Sequence, residues 1–303
     1  MTITNRVMPA VQRSPDATGL RPGAEASRRV RQAGPLTIVG LIVAAFLSIL
    51  PLYWMVIIAS RTNDSAFAWP PALLPGGNLG ENVQRVLDNA DAAIVKGIIN
   101  SFIVAGTITV STVLFSAMAG FAFAKLRFRG RNALLISILL TMMIPVQLNI
   151  VPLYQLMINL GWLNDIKAVI VPFLISGFGI FLMRQYTIQS IPDELIEAAR
   201  VDGCSTWRVF FHIVAPALRP AAAVLGLLTF MQYWNEFFWP FIVLADPSNP
   251  TVQISLKTLN SAYHADLSQI FAGTLVATVP LIIVFIVFFR QIISGIMDGA
   301  VKA

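Results

Sequence analysis

Six times along its 303 residues the chain runs for 16 to 25 positions on apolar residues with almost no charge, at 36–58, 98–122, 133–157, 168–183, 221–244 and 270–289. A helix rising about 1.5 Å per residue crosses the hydrocarbon layer of a bilayer in about 20 such residues. In lipid every backbone N–H and C=O must find its partner within the protein, so runs of this length and composition are read as helices. The fold class that follows is all-α, a polytopic membrane protein with six transmembrane helices. Only 12% of the residues are charged, against about a quarter in a soluble domain. That is too little to cover a water-soluble globule.

The placement of the charges carries more than their number. Sixteen of the 21 Lys and Arg residues fall before the first run, in the second and fourth connections and after the last run, leaving five for the other side. Basic residues flanking spans are retained in the cytoplasm, so both termini and the second and fourth connections are expected inside. The second connection shows it most plainly, with Lys125, Arg127, Arg129 and Arg131 and no acid. The net charge of +6 does not indicate nucleic acid, because the cations lie between apolar runs and form no continuous stripe.

Residues 1–35, rich in Pro, Gly, Ser and Arg, read as a disordered cytoplasmic tail, residues 36–292 as the membrane domain and residues 293–303 as a cytoplasmic C-terminal tail. The first run is not a secretory signal, since a long arginine-bearing stretch precedes it and it is too long for an h-region. With one cysteine, Cys204, there is no intramolecular disulfide. His212 and His264 stand apart without a ligand motif, so no metal site is expected. The outer connections 62–96 and 245–269 carry Trp69-Pro70-Pro71, Pro75-Gly76-Gly77 and Asp246-Pro247-Ser248-Asn249-Pro250. Both are turn-rich, open to being a docking face or a plain connection.

The fourth connection, residues 184–220, is long and has helical periodicity without enough apolar character to span. Ser190, Pro192, Asp193 and Glu194 make a helix start, with a cap candidate, a first-turn proline and acids at the positive dipole end. Gly203 suits a left-handed stop. Ser205 or Thr206 can then cap a second helix, on which Trp207, Phe210, Phe211 and Val214 fall on one face. The first helix carries Ala198 and Ala199 flanked by Glu197 and Arg200, a small-residue face that permits close approach by another protein. An amphipathic hairpin lying on the membrane is the competing reading.

The run Glu197-Ala198-Ala199, three residues, Gly203, nine residues, Ile213-Val214-Ala215-Pro216 resembles the EAA loop of bacterial ABC importer permeases, with Ala215 where the pattern has leucine. The resemblance extends from residue 36 to 303 and is to the maltose-type sugar permeases of the smaller, six-span kind. It rests further on Tyr233-Trp234-Asn235-Glu236-Phe237-Phe238-Trp239-Pro240, on Pro145 with the segment 148–156, and on Gly299-Ala300-Val301-Lys302. It implies that the two-helix loop is a cytoplasmic coupling element seated in a cleft of an ATPase subunit. Glu197 and Arg200 would anchor it in the cleft, Gly203 would set its turn, and Ala198, Ala199, Ile213 and Pro216 would complete the coupling motif. Motion would pass through Pro216 and the fifth span. The implied partners are a second, homologous permease, two ATPase subunits that use ATP and Mg, an extracytoplasmic sugar-binding protein and the lipid bilayer of the bacterial inner membrane. The implied cargo is a sugar, with an oligosaccharide expected.

Within the spans Glu236 is the sole acid, and an ionisable group at membrane depth is costly enough to suggest function. With Tyr233 and Asn235 it could line a sugar pathway, aromatic faces stacking on a pyranose while amide and carboxylate meet its hydroxyls. A hydrated position at the outer interface is the other reading, and Trp239 and Phe241 read as part of an interfacial aromatic belt. Gln147 and Asn149, between Pro145 and Pro152, could line a cavity at a broken helix or bond between helices. No G-x-x-x-x-G-K-[ST] occurs, so the chain has no phosphate-cradling loop of its own and is not expected to be an enzyme or to bind a cofactor. An ion-coupled secondary transporter is the alternative, and it predicts related halves and paired buried acids.

Overall fold

A computed structural model describes residues 34–260 and 266–300, with side chains through residue 289. Among the described residues there are helices and turns and no strand, as the six apolar runs require. The chain divides into two units at residue 52. The described part of the first unit is the N-terminal portion of α1 (Pro35–Ala59), whose Leu36, Leu41 and Phe46 are exposed. A helix that bares leucine and phenylalanine on several sides belongs in lipid.

In the second unit the organising element is α3 (Ile94–Lys125), 32 residues without an internal proline. Three apolar clusters are strung along it. Ile94 and Ala105 sit with Phe230 and Trp234, Val104 and Ile108 sit with Trp239 and Val243, and Ala117 and Phe121 sit with Met183, Ile196 and Phe210. Lipid tails are as apolar as leucine, so such helices associate through close packing, and small residues decide where. Gly120 of α3 marks the closest approach to α7 (Gly177–Ser190): a Cβ there would sit 2.7 Å from Met183 Cβ and 2.8 Å from the Arg184 backbone nitrogen.

Among the described residues four helices are long and apolar enough to cross a membrane, including α1, α3 and the part Leu267–Phe289 of α13 (Leu267–Ala300). Two bent pairs bring the total to six if each is one span. The bends correct three of the expected spans. Residues 133–157 are not one rod: α4 (Arg131–Thr141) meets a 3-10 turn at Val146–Asn149 leading into α5 (Ile150–Leu160), and the two parts are bent by 90°. Pro145 is the cause, with its ring excluding the helical register and its missing N–H ending the ladder. The fourth span starts earlier and ends later than residues 168–183. It comprises α6 (Ile166–Ile170), a 3-10 turn at Val171–Phe173 and α7, broken where Pro172 and Gly177 fall. Because α7 runs to Ser190, the fourth connection begins at Ile191 rather than at residue 184.

Residues 221–244 divide into α10 (Arg219–Trp234) and α11 (Phe238–Val243) around an interruption at 235–237. Between the longer helices lie α2 (Leu79–Leu87) and α12 (Val252–Leu259). Arg85 of α2 pairs with Asp266 at 2.5 Å, just ahead of α13. The N-terminal tail 1–33, His264 and residues 301–303 of the C-terminal tail lie outside the described residues.

Candidate functional site

Two places collect the residues singled out by sequence. The first is the fourth connection. After Ser190 the backbone turns extended at Ile191, and Pro192 takes the N-cap position of α8 (Asp193–Val201) without a side-chain cap, so Ser190 closes α7 instead of capping α8. Asp193 and Glu194 occupy the first turn as expected. At the far end Gly203 adopts φ +75°, with its N–H donating to Arg200 O and the Cys204 N–H donating to Ala199 O. These two bonds form a Schellman stop, which requires a left-handed residue. The Ser205 hydroxyl then accepts from the Arg208 N–H at 3.4 Å and opens α9 (Thr206–Ala217).

The faces of these helices differ from the expectation. Ala199 turns inward with Ile196 onto Met183, Val209 and Phe210, whereas Glu197, Ala198 and Arg200 face out and make no ion pair among the described residues. Ile213 is half-buried against the same cluster and Pro216 is exposed. The aromatic face predicted on the second helix is split by a π-helical turn at Phe210–Val214, in which the Ala215 N–H donates to Phe210 O. Pro216 supplies no N–H to the chain behind it, which favours the wider turn. Phe210 and Val214 are buried, while Trp207 and Phe211 stack at 6.2 Å on the outside. With Leu195 and Val201 they leave four large apolar side chains uncovered around the outward residues of α8.

Lys125 was singled out only as a topology signal, yet its side chain is 7% exposed and its ammonium lies 2.6 Å from Asp193 Oδ1. Hydrogen bonding by Lys125, reinforced by its charge, holds the Asp193 carboxyl below the usual carboxylate range. The lysine that ends α3 and the acid that begins α8 are 68 positions apart in sequence, and no local pattern joins them.

The second place is a cavity of about 990 Å³ between α5, the Val171–Phe173 turn, α10 and α11. Interruptions in three helical runs, at 146–149, 171–173 and 235–237, build it. Gln147 and Asn149 reach it from the 3-10 turn after Pro145, Tyr233 from the end of α10 and Glu236 from the interruption. Asn235 does not line it, because its side-chain amide donates to Met231 O at 2.8 Å on its own helix. Glu236 Oε1 accepts from the backbone N–H groups of Phe238 at 3.0 Å and Trp239 at 3.2 Å. The carboxylate therefore caps α11, while Oε2 has no partner among the described residues.

Sequence reading missed Gln232, Phe173 and Trp239 in this lining. Phe173 packs against Tyr233 with centroids at 5.6 Å and edge-on to Trp239 at 6.4 Å. Trp239 is no interfacial belt residue: it is 5% exposed and its Nε1–H donates to Ala168 O at 3.0 Å. Phe241 is exposed, with the Lys257 ammonium 4.1 Å from its ring centre. The lining holds two carboxamides from one span, a third from α10, a phenol, one carboxylate and an aromatic wall, and it contains no Lys, Arg or His. Among the described residues no three of His, Cys, Asp and Glu gather as metal ligands.

Asn164, in the left-handed region at φ 63°, ties two connections together. Its N–H donates to Val243 O at 2.8 Å, its side-chain oxygen accepts from the Asp246 N–H at 2.9 Å, and its carbonyl accepts from the Asn249 amide at 3.3 Å. The stretch around Asp246-Pro247-Ser248-Asn249 is thus held in place beside α11.

Residues 112–298 match the family described as binding-protein-dependent transport system inner membrane component. The chain is 38% identical over 203 residues to the arabinooligosaccharides transport system permease protein AraQ of Halalkalibacterium halodurans, covering 67% of this chain and 72% of that one. It is 36% identical to the lactose transport system permease protein LacG of Rhizobium radiobacter, covering 86% of this chain and 94% of that one. It is 32% identical, with the same shares covered, to the sn-glycerol-3-phosphate transport system permease protein UgpE of Yersinia enterocolitica. A chain in the crystal structure of a bacterial ABC transporter involved in the import of the acidic polysaccharide alginate superposes with a TM-score of 0.75 at 21% identity, over 91% of this chain and 99% of that chain, which bears on the fold alone.

Proposed function

This chain belongs to the family of binding-protein-dependent transport system inner membrane components, and we propose that as the multi-pass permease subunit of an ABC importer it carries a neutral sugar, an oligosaccharide in the first instance. One observation carries the choice of cargo. The membrane cavity is lined by amides, a phenol, a carboxylate and an aromatic wall, with no cation. Such a surface stacks on the apolar faces of pyranose or furanose rings and accepts hydrogen bonds from their hydroxyls. It offers nothing to neutralise a phosphate ester, so among the cargoes in the relatives' names it favours arabino-oligosaccharide or lactose over sn-glycerol 3-phosphate. A volume of about 990 Å³ is at the upper end of small-molecule sites, which accords with more than one sugar ring.

Energy comes from two separate ATPase subunits that hydrolyse ATP with Mg. The exposed apolar group Leu195, Val201, Trp207 and Phe211, with Glu197, Ala198 and Arg200 among it, is the surface they engage. A second, homologous permease completes the pathway, an extracytoplasmic binding protein delivers the sugar, and both termini face the cytoplasm.

The test is co-expression with the partner permease, ATPase and binding protein, followed by ATP-dependent uptake into proteoliposomes. Labelled arabino-oligosaccharides, lactose and sn-glycerol 3-phosphate are supplied in turn. Uptake of a saccharide, lost together with ATPase co-purification in Gly203→Arg, is the expected result. Uptake of the glycerol phosphate alone overturns the cargo assignment, and normal uptake and ATPase recovery in Gly203→Arg overturn the coupling surface.

A further inference from the structure

The importer reading leaves open how displacement of α8 reaches the transport cavity, and the route first suggested, through Pro216 and the fifth span, is poorly built for it. Between α9 and α10 the chain bends by 73°, and α10 ends again at residues 235–237. A push along that path meets two breaks, each able to absorb displacement by changing its angle. By contrast α3 is one uninterrupted helix of 32 residues, about 48 Å at 1.5 Å per residue. Its outer half carries Val104 and Ile108 in the cluster of Trp239, a wall of the cavity. Farther out, Asn100 donates to Pro250 O at 2.9 Å and Ser101 Oγ accepts from the Val252 N–H at 2.8 Å, fastening the outer connection to the same helix.

We propose that the Lys125–Asp193 ion pair is the positioning contact through which the cytoplasmic coupling helix drives α3, and that α3, rather than the fifth span, carries the movement to the cavity and outer face. The inference rests on the importer reading above. Lys125 is the last residue of α3 and Asp193 the first of α8, so the pair joins two helix ends with no loop between the charges. Burial of the lysine, 7% exposed, against an acid that is 76% exposed gives the contact a fixed and a moving partner. The lysine cannot turn to water without leaving the protein, whereas the acid travels with α8. The approach at Gly120, where Met183 and Arg184 lie on the α3 backbone, locks α7 to α3 just above the pair. Since α7 runs into α8 through Ile191 and Pro192, the coupling helix is anchored to α3 from two sides.

The experiment uses the whole transporter in proteoliposomes, with the saccharide panel named above as probes, and reads ATP hydrolysis and uptake together. Asp193→Asn and Lys125→Met are expected to retain the ATPase subunits on purification and to continue hydrolysing ATP, but to transport at least about fivefold less per ATP. Lys125→Arg, which keeps the charge, and the swap Lys125→Asp with Asp193→Lys are expected to return most of the ratio. A role in folding alone would lower hydrolysis and uptake in parallel and leave the ratio intact. Singles with wild-type transport per ATP would overturn the proposal, as would a swap and a Lys125→Arg variant no better than the singles. A wild-type complex without ATP-dependent uptake would instead overturn the importer reading, and this inference with it.

Discussion

Gly120→Ala and Gly106→Ala are the same chemical change on the same helix, α3, and are expected to move stability in opposite directions. At Gly106 an added Cβ meets nothing within 4 Å, so the substitution only removes backbone freedom from a helix interior and is worth up to about 1 kcal/mol of stabilisation. At Gly120 the same methyl would stand 2.7 Å from Met183 Cβ, 2.8 Å from Arg184 N and 2.9 Å from Met183 C. Ordinary contact needs about 3.4 Å or more. Two of the three atoms are backbone, so no rotamer change relieves them, and α3 and α7 must part by roughly 0.5–1 Å. Overpacking of this kind costs about 1–3 kcal/mol, which outweighs the propensity gain and leaves Gly120→Ala net destabilised by about 1–2 kcal/mol. The sole cysteine supplies the assay, because Cys204 is half-buried against the cluster that α3 and α7 share. Thermal labelling of this chain's band by a thiol-reactive fluorophore should show Gly120→Ala reacting at lower temperature than wild type and Gly106→Ala at the same or higher temperature. A Gly120→Ala protein that labels no earlier than Gly106→Ala would refute the reasoning.

Gly203→Ala has open space for its methyl but must hold φ +75°, so it is expected to cost about 1–2 kcal/mol through backbone strain alone and to weaken ATPase co-purification less than Gly203→Arg. Glu236→Gln keeps an acceptor for the Phe238 and Trp239 N–H groups and is expected to fold normally, whereas Glu236→Ala leaves both uncapped; expression and uptake compared across the pair check this. Trp239→Phe strands the Ala168 carbonyl and should cost about 1–3 kcal/mol, read as earlier Cys204 labelling. Because the Asp193 carboxyl is held below its ordinary range, the pair's contribution is whole above about pH 4 and is lost as the pH falls through the lowered folded value. Tryptophan-fluorescence melts between pH 7 and pH 3 should show a steeper loss for wild type than for Asp193→Asn.

The elements legible in sequence were those governed by local chemistry. The acid-rich first turn at Asp193–Glu194, the left-handed stop at Gly203 and the Ser205 cap each depend on residues within one or two turns, and each stands where expected. The break in the third span was raised by Pro145, but its 90° angle depends on what each half packs against, and the interruption at 235–237 was not foreseen. Gln147, Asn149, Tyr233 and Glu236 share one cavity, a convergence that single-span reading could raise only as separate alternatives. Trp239 was misjudged because a tryptophan near a span end suits an interface as well as a buried donor, and the carbonyl that decides between them belongs to Ala168, far away in sequence. The Lys125–Asp193 pair was illegible for the same reason.

The π-turn at Phe210–Val214 also sets how this chain tolerates changes in length. A wide turn holds one residue more than an α-turn over the same rise, so deleting a single residue there would restore ordinary helix without breaking the backbone. Because the extra residue is absorbed within one turn, the residues before Phe210 and after Val214 would keep the faces they occupy now. The same deletion in a regular helix such as α10 would instead turn one half against the other by about 100°. Single-residue deletions within the π-turn should therefore yield permeases that express, melt and retain their ATPase like wild type, whereas deletions in the regular helices should not.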